Sequence, residues 1–168
     1  MLPALPEIYL SAAICVLLLI DVFFGKDRRR LVAALTLVVL LAGALITATC
    51  GAVWARTLLF DGLYVADALG TVLKIAGFLT VALALFYSGG YLDRRRMQGG
   101  EYYVLALTAL LGIFVLISAN SLLTIYIGVE LLALSLYALV AFDRDSGIAA
   151  EAAIKYRSEE HTSELQSL

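Results

Sequence analysis

The sequence predicts an all-α, polytopic membrane helix bundle of five complete transmembrane helices and a truncated sixth, with the N-terminus outside. Three observations carry this. Of 168 residues, 62% are hydrophobic, and the mean hydropathy is +0.96. Soluble domains are only about 45–50% apolar, so the excess calls for an apolar solvent, the bilayer. The apolar residues are gathered into runs long enough to cross it. Basic residues cluster in every second connection.

Spanning a hydrocarbon core of about 30 Å takes about 20 helical residues. Five runs approach that length: residues 5–24, 31–50, 71–87, 102–119 and 122–142. A sixth starts at Ile148 and stops at Tyr156, which gives a helical rise of only about 13 Å. The runs are rich in Leu and Ala and lack the two-residue alternation of a lumen-lined barrel. An open sheet would leave edge groups unpaired in lipid. The first run has no basic leader, is too long for a signal-peptide core and carries Asp21, so it reads as a retained span.

The connections set the orientation. Lys26, Arg28, Arg29 and Arg30 follow the first run, Arg94, Arg95 and Arg96 the third, and Arg144 the fifth. The intervening connections hold only Arg56, with Lys74 just inside the third run. The positive-inside rule puts the basic loops in the cytoplasm and the N-terminus outside. Residues 51–70 are semi-apolar and contain Trp54, Phe60 and Tyr64; Asp61-Gly62 marks a tight turn. A small interfacial hairpin fits, with the Trp and Tyr at headgroup level. Asn120 and Ser121 form a short turn that makes the fourth and fifth helices antiparallel neighbours.

Glu130 is the sharpest chemical signal. It lies eight residues into the fifth run, a depth of about 12 Å. Ionisable side chains at such depth are costly, about 2.5–3.5 kcal/mol for Asp, Lys or Arg by insertion scales, and mark functional sites by default. A structural hydrogen bond from a permanently protonated carboxyl is the plainer alternative. Lys155 is the second candidate. Glu151 precedes it by one turn, the favourable i,i+4 order, although a lysine there can also snorkel to the headgroups. Pairing of Lys155 with Glu130 across helices is geometrically open. Glu7, Asp21, Lys74 and Glu101 lie near span ends, where snorkelling or capping accounts for them. Gly43, Gly77, Gly112 and Gly128 are expected to admit close helix packing.

Other chemistry is sparse. Cys15 and Cys50 sit in apolar runs and read as small buried hydrophobes. His161 is the only histidine, so a His-based metal or haem site is excluded. No phosphate loop, nucleotide fingerprint or CxxC occurs, and a net charge of −2 gives no sign of nucleic-acid binding. After Tyr156 the composition turns abruptly polar. Residues 157–168 are expected to be a non-native tail, and RSEEHTSELQS resembles the in-frame translation of a sequencing-library adapter.

The pattern Gly100-Glu101-Tyr102-Tyr103, then Ser118-Ala119-Asn120-Ser121-Leu122-Leu123-Thr124, then Gly128-Val129-Glu130-Leu131-Leu132-Ala133-Leu134-Ser135-Leu136-Tyr137, then Glu151-Ala152-Ala153-Ile154-Lys155-Tyr156 resembles subunit N of the proton-pumping NADH:quinone oxidoreductases, respiratory complex I. Leu5-Pro6-Glu7-Ile8 at the start is similar as well. The resemblance covers residues 1–156, the N-terminal membrane portion of an antiporter-like subunit. It implies a non-redox, proton-translocating subunit in the cell's inner (cytoplasmic) membrane, in which Glu130 and Lys155 serve proton translocation. It also implies other complex I membrane subunits as partners. This chain would hold no cofactor, with quinone, flavin and iron–sulfur clusters handled by partner subunits. A fragment that stops inside the sixth helix is expected to be inactive alone. A cation/proton antiporter subunit and a non-catalytic membrane assembly protein are the alternatives.

Overall fold

A computed structural model describes residues 2–24, 29–49, 56–95, 100–142, 151–152 and 154–158. A 3-10 turn, Leu2–Ala4, leads into α1 (Leu5–Phe24), followed by α2 (Arg29–Thr49). The strands β1 (Thr57–Leu59) and β2 (Tyr64–Ala66) precede α3 (Ala68–Arg95), α4 (Glu101–Ile117) and α5 (Leu122–Val140). Residues 151–152 and 154–158 are also helical. Cys50, Trp54, Lys26, Arg28, Arg96, Arg144 and the tail from residue 159 lie outside the described residues.

The helices α1, α2, α3 and α5 are long and apolar enough to cross a membrane, while α4 is a shorter apolar helix of 17 residues. Several helix bounds differ from the apolar runs, those of α3 most. α3 extends at both ends, because helix geometry continues into polar sequence once the backbone is hydrogen-bonded; Thr71 donates its N–H to the Asp67 carbonyl there. α4 stops at Ile117 because the next residues pair elsewhere. The Ser118 carbonyl accepts from Val65 N–H at 2.8 Å, and Asn120 N–H donates to the Leu63 carbonyl at 3.1 Å.

The hairpin is antiparallel, with Thr57 opposite Ala66 and Leu59 opposite Tyr64. Its loop holds positive φ at Phe60 (53°), Asp61 (54°) and Gly62 (85°). Only glycine takes such values without a steric cost, and the loop is held by Leu63 N–H on the Phe60 carbonyl and Asn120 Nδ2 on the Gly62 carbonyl.

α1 to α4 share a core of Leu10, Leu17, Leu40, Phe78, Leu107 and Phe114. Phe78 and Phe114 meet edge to face, centroids 4.8 Å apart. The expected glycine contacts form. A Cβ on Gly43 would come within 2.6 Å of the Phe78 ring, and one on Gly112 within 2.8 Å of the Leu132 backbone nitrogen. The hydroxyls of Thr36, Thr47, Thr108 and Ser135 each donate one turn back to a helix carbonyl, which satisfies them within apolar spans.

Outside this core the helices present apolar side chains outward. Val22, Phe23, Leu45, Phe86 and Leu122 are all exposed. Soluble proteins avoid large contiguous apolar patches, so this is a surface made for lipid or for further helices. Cys15 corrects the sequence reading: it lies on this outward surface rather than in the core.

Candidate functional site

α5 begins where Ser121 stops extended chain. Its backbone is in the β region, and its hydroxyl accepts the Thr124 N–H at 3.2 Å, the N-cap arrangement. The helix then packs along α4 through buried Gly128 against Leu116, and through Gly112 against Leu132. Residues two apart on a helix point about 200° from each other, so Glu130 lies on the face of α5 turned away from α4. Tyr137, two turns on, shares that face and meets the Tyr156 ring edge to face at 5.4 Å. Glu130 is half-buried, and among the described residues it forms no hydrogen bond or ion pair.

Lys155 stands on the segment that carries Tyr156. It pairs with Glu151 at 2.8 Å in the expected i,i+4 arrangement, with both side chains about two-thirds exposed (68% and 67%). The structure thus places the Lys155 segment against the Glu130 face of α5 through the tyrosine pair, but it forms no ion pair between Lys155 and Glu130.

The strongest polar cluster is one that reading the sequence missed. At the hairpin end of the bundle, Lys74 Nζ lies 2.6 Å from Glu7 Oε1, and the two side chains are only 5% and 13% exposed. Lys74 also donates to the Tyr64 hydroxyl at 2.9 Å. That hydroxyl lies 2.9 Å from the Pro3 carbonyl and 3.1 and 3.2 Å from the two Glu7 oxygens. Ser118 donates to Glu7 Oε1 at 3.3 Å. One cluster therefore ties α1, β2, α3 and the end of α4 together. Burial, and next the Glu7 carboxylate, hold the Tyr64 hydroxyl above the usual phenol range.

This corrects one expectation: Lys74 and Glu7 are enclosed in an ion pair rather than reaching out as isolated charges, and Tyr64 is buried beside them. The available signal was that one acid and one base enter their spans from the same end at similar depth. Asp21 behaves as expected of a capping residue: its carboxylate packs on Gly100 at the start of α4 and accepts that backbone N–H.

A bundle of apolar helices with an outward apolar surface and ionisable groups enclosed between its elements defines a segment of a polytopic, α-helical membrane protein. The chain is homologous to subunit N of the NADH-quinone oxidoreductases. It is 46% identical over 155 residues to NADH-quinone oxidoreductase subunit N of Nitrosomonas europaea, covering 92% of this chain and 32% of that protein. The subunit N proteins of Thiobacillus denitrificans (47% over 154 residues, 92% and 32%) and Herminiimonas arsenicoxydans (42% over 160 residues, 93% and 32%) match likewise. The chain spans about a third of the length of these curated relatives. No family model matches it.

Proposed function

We propose that this chain is the N-terminal third of a membrane subunit that translocates protons in an NADH–quinone oxidoreductase. Homology to subunit N over 92% of the chain is the observation that carries the reading. In this account α4 completes a set of five spans; its 17 residues rise about 25 Å, enough with flanking residues in a locally thinned bilayer. The N-terminus and hairpin face the outside of the cytoplasmic membrane, and the arginine-bearing ends face the cytoplasm. Other membrane subunits of the complex are its partners, and quinone, flavin and iron–sulfur chemistry resides in other chains.

Glu130 is the group this chain contributes to the proton path. A carboxyl near mid-span on the helix face away from α4 would be costly against lipid. It becomes useful once enclosed by further helices, because burial raises a carboxyl's proton affinity and a nearby cation lowers it again. The missing two-thirds of the protein supplies that enclosure. Lys155, on the segment that meets the same face of α5 through the Tyr137–Tyr156 contact, supplies such a cation. The piece alone lacks most of the path and does not pump. Residues 157–168 are not part of the native protein.

The test is Glu130→Gln in the full-length subunit, assembled in its complex. Loss of proton translocation with assembly intact supports the reading. Unchanged translocation supports a purely structural membrane subunit instead, and sodium or potassium exchange in place of quinone-linked pumping supports an antiporter.

A further inference from the structure

The translocation reading leaves unused the most enclosed ion pair among the described residues, Glu7–Lys74, and its surroundings point to more than a staple. An ammonium group has three N–H donors. Two of Lys74's are taken by Glu7 Oε1 and the Tyr64 hydroxyl. Beside Lys74 lies a cavity of about 10 Å³, lined also by Thr47, Asp67 and Thr71. That is room for a single water with several polar partners, and the third donor is left for it. The Tyr64 hydroxyl has one proton and two classes of acceptor in reach, Pro3 and Glu7, so it can follow a change of charge on Glu7.

We propose that Glu7 and Lys74, with Tyr64 and one water in the adjoining cavity, form a proton-exchange site between the bundle interior and the aqueous phase at the hairpin end. This rests on the translocation reading above. A proton arriving at the Glu7 carboxylate makes the neutral acid. Lys74 releases a proton through its third N–H to the cavity water. The Glu7 proton then crosses the 2.6 Å contact to the Lys74 amine. One proton enters, one leaves, and the pair is restored. Before and after each cycle the pair is neutral overall, so no net charge stays buried.

The test uses the full-length subunit in its assembled complex. Lys74→Arg keeps the positive charge and the ion pair but cannot deprotonate. The double variant Glu7→Gln/Lys74→Gln keeps a hydrogen bond without titratable groups. Loss of proton translocation in both, with assembly and quinone reduction measured alongside, is the expected result. Translocation retained in either assembled variant overturns the inference and makes the cluster a staple. Glu130→Gln, measured in parallel, separates the two ideas. If it abolishes translocation while Lys74→Arg does not, the exchange site fails and the translocation reading stands; if neither matters, both fail. On the unmodified complex, a high-resolution map with a water within about 3.2 Å of Lys74 Nζ supports the site, and a dry cavity overturns it.

Discussion

Tyr64 shows how much one buried hydroxyl can organise. It touches Glu7, Lys74 and Pro3 across separations of 57, 10 and 61 residues. Its proton is held more tightly in the folded protein than in the unfolded chain. Its contribution to stability is therefore complete below the ordinary phenol range and lost as pH rises through the raised value. The melting temperature of the detergent-solubilised protein is expected to fall above about pH 10; Tyr64→Phe should flatten that dependence while lowering the melting temperature at neutral pH. Lys74 and Lys155 separate by burial. Removing Lys74 strands the Glu7 carboxylate and should cost about 3–5 kcal/mol. Lys155→Ala breaks an exposed pair and should cost under about 1 kcal/mol. Equilibrium unfolding of the two variants checks the contrast, and equal losses would contradict it. None of this cluster was legible as a cluster in the sequence. Each charge alone is adequately explained by its place near a span end, and only the meeting of α1, β2, α3 and α4 reveals the pair.

At the scale of elements, the helices were legible because runs of Leu and Ala near bilayer length admit no other backbone in lipid. Their ends were less so. α3 outran its apolar stretch, and α4 stopped short because Ser118 was recruited to β2 and Asn120 to the hairpin loop. The hairpin was readable from Asp61-Gly62, but its attachment to the α4–α5 turn was not. The glycines were readable as contact points, though not in rank. Gly112 faces backbone, which cannot step aside, whereas Gly77 faces the rings and methyls of Phe114 and Leu110. Gly112→Ala should therefore destabilise by about 1–3 kcal/mol and Gly77→Ala by less, as read by thermal unfolding in detergent. The reverse order would mean that α4 and α5 do not approach as closely as described.

For the whole molecule, the outward apolar surface fits lipid or further helices, and the proposed function sets further helices against the face that carries the half-buried Glu130. Glu130 stood out in the sequence by its depth alone, and its role in translocation belongs to the proposed function. The side of α5 it occupies was not legible there, and depends on the packing of Gly128 against α4. The orientation is testable directly. With Cys15 and Cys50 replaced, a cysteine at Leu2 should react with a membrane-impermeant maleimide in intact cells. Labelling only in inverted vesicles would reverse the orientation.

The most direct measurement is the native gene sequence beyond the codon for Tyr156. The expected result is that the apolar sixth helix continues there and that the chain runs on to a length like that of its subunit N relatives, of which it covers 32%. A reading frame that ends at Leu168 as written would leave Glu130 without the helices that enclose it and would contradict the proton-translocation assignment.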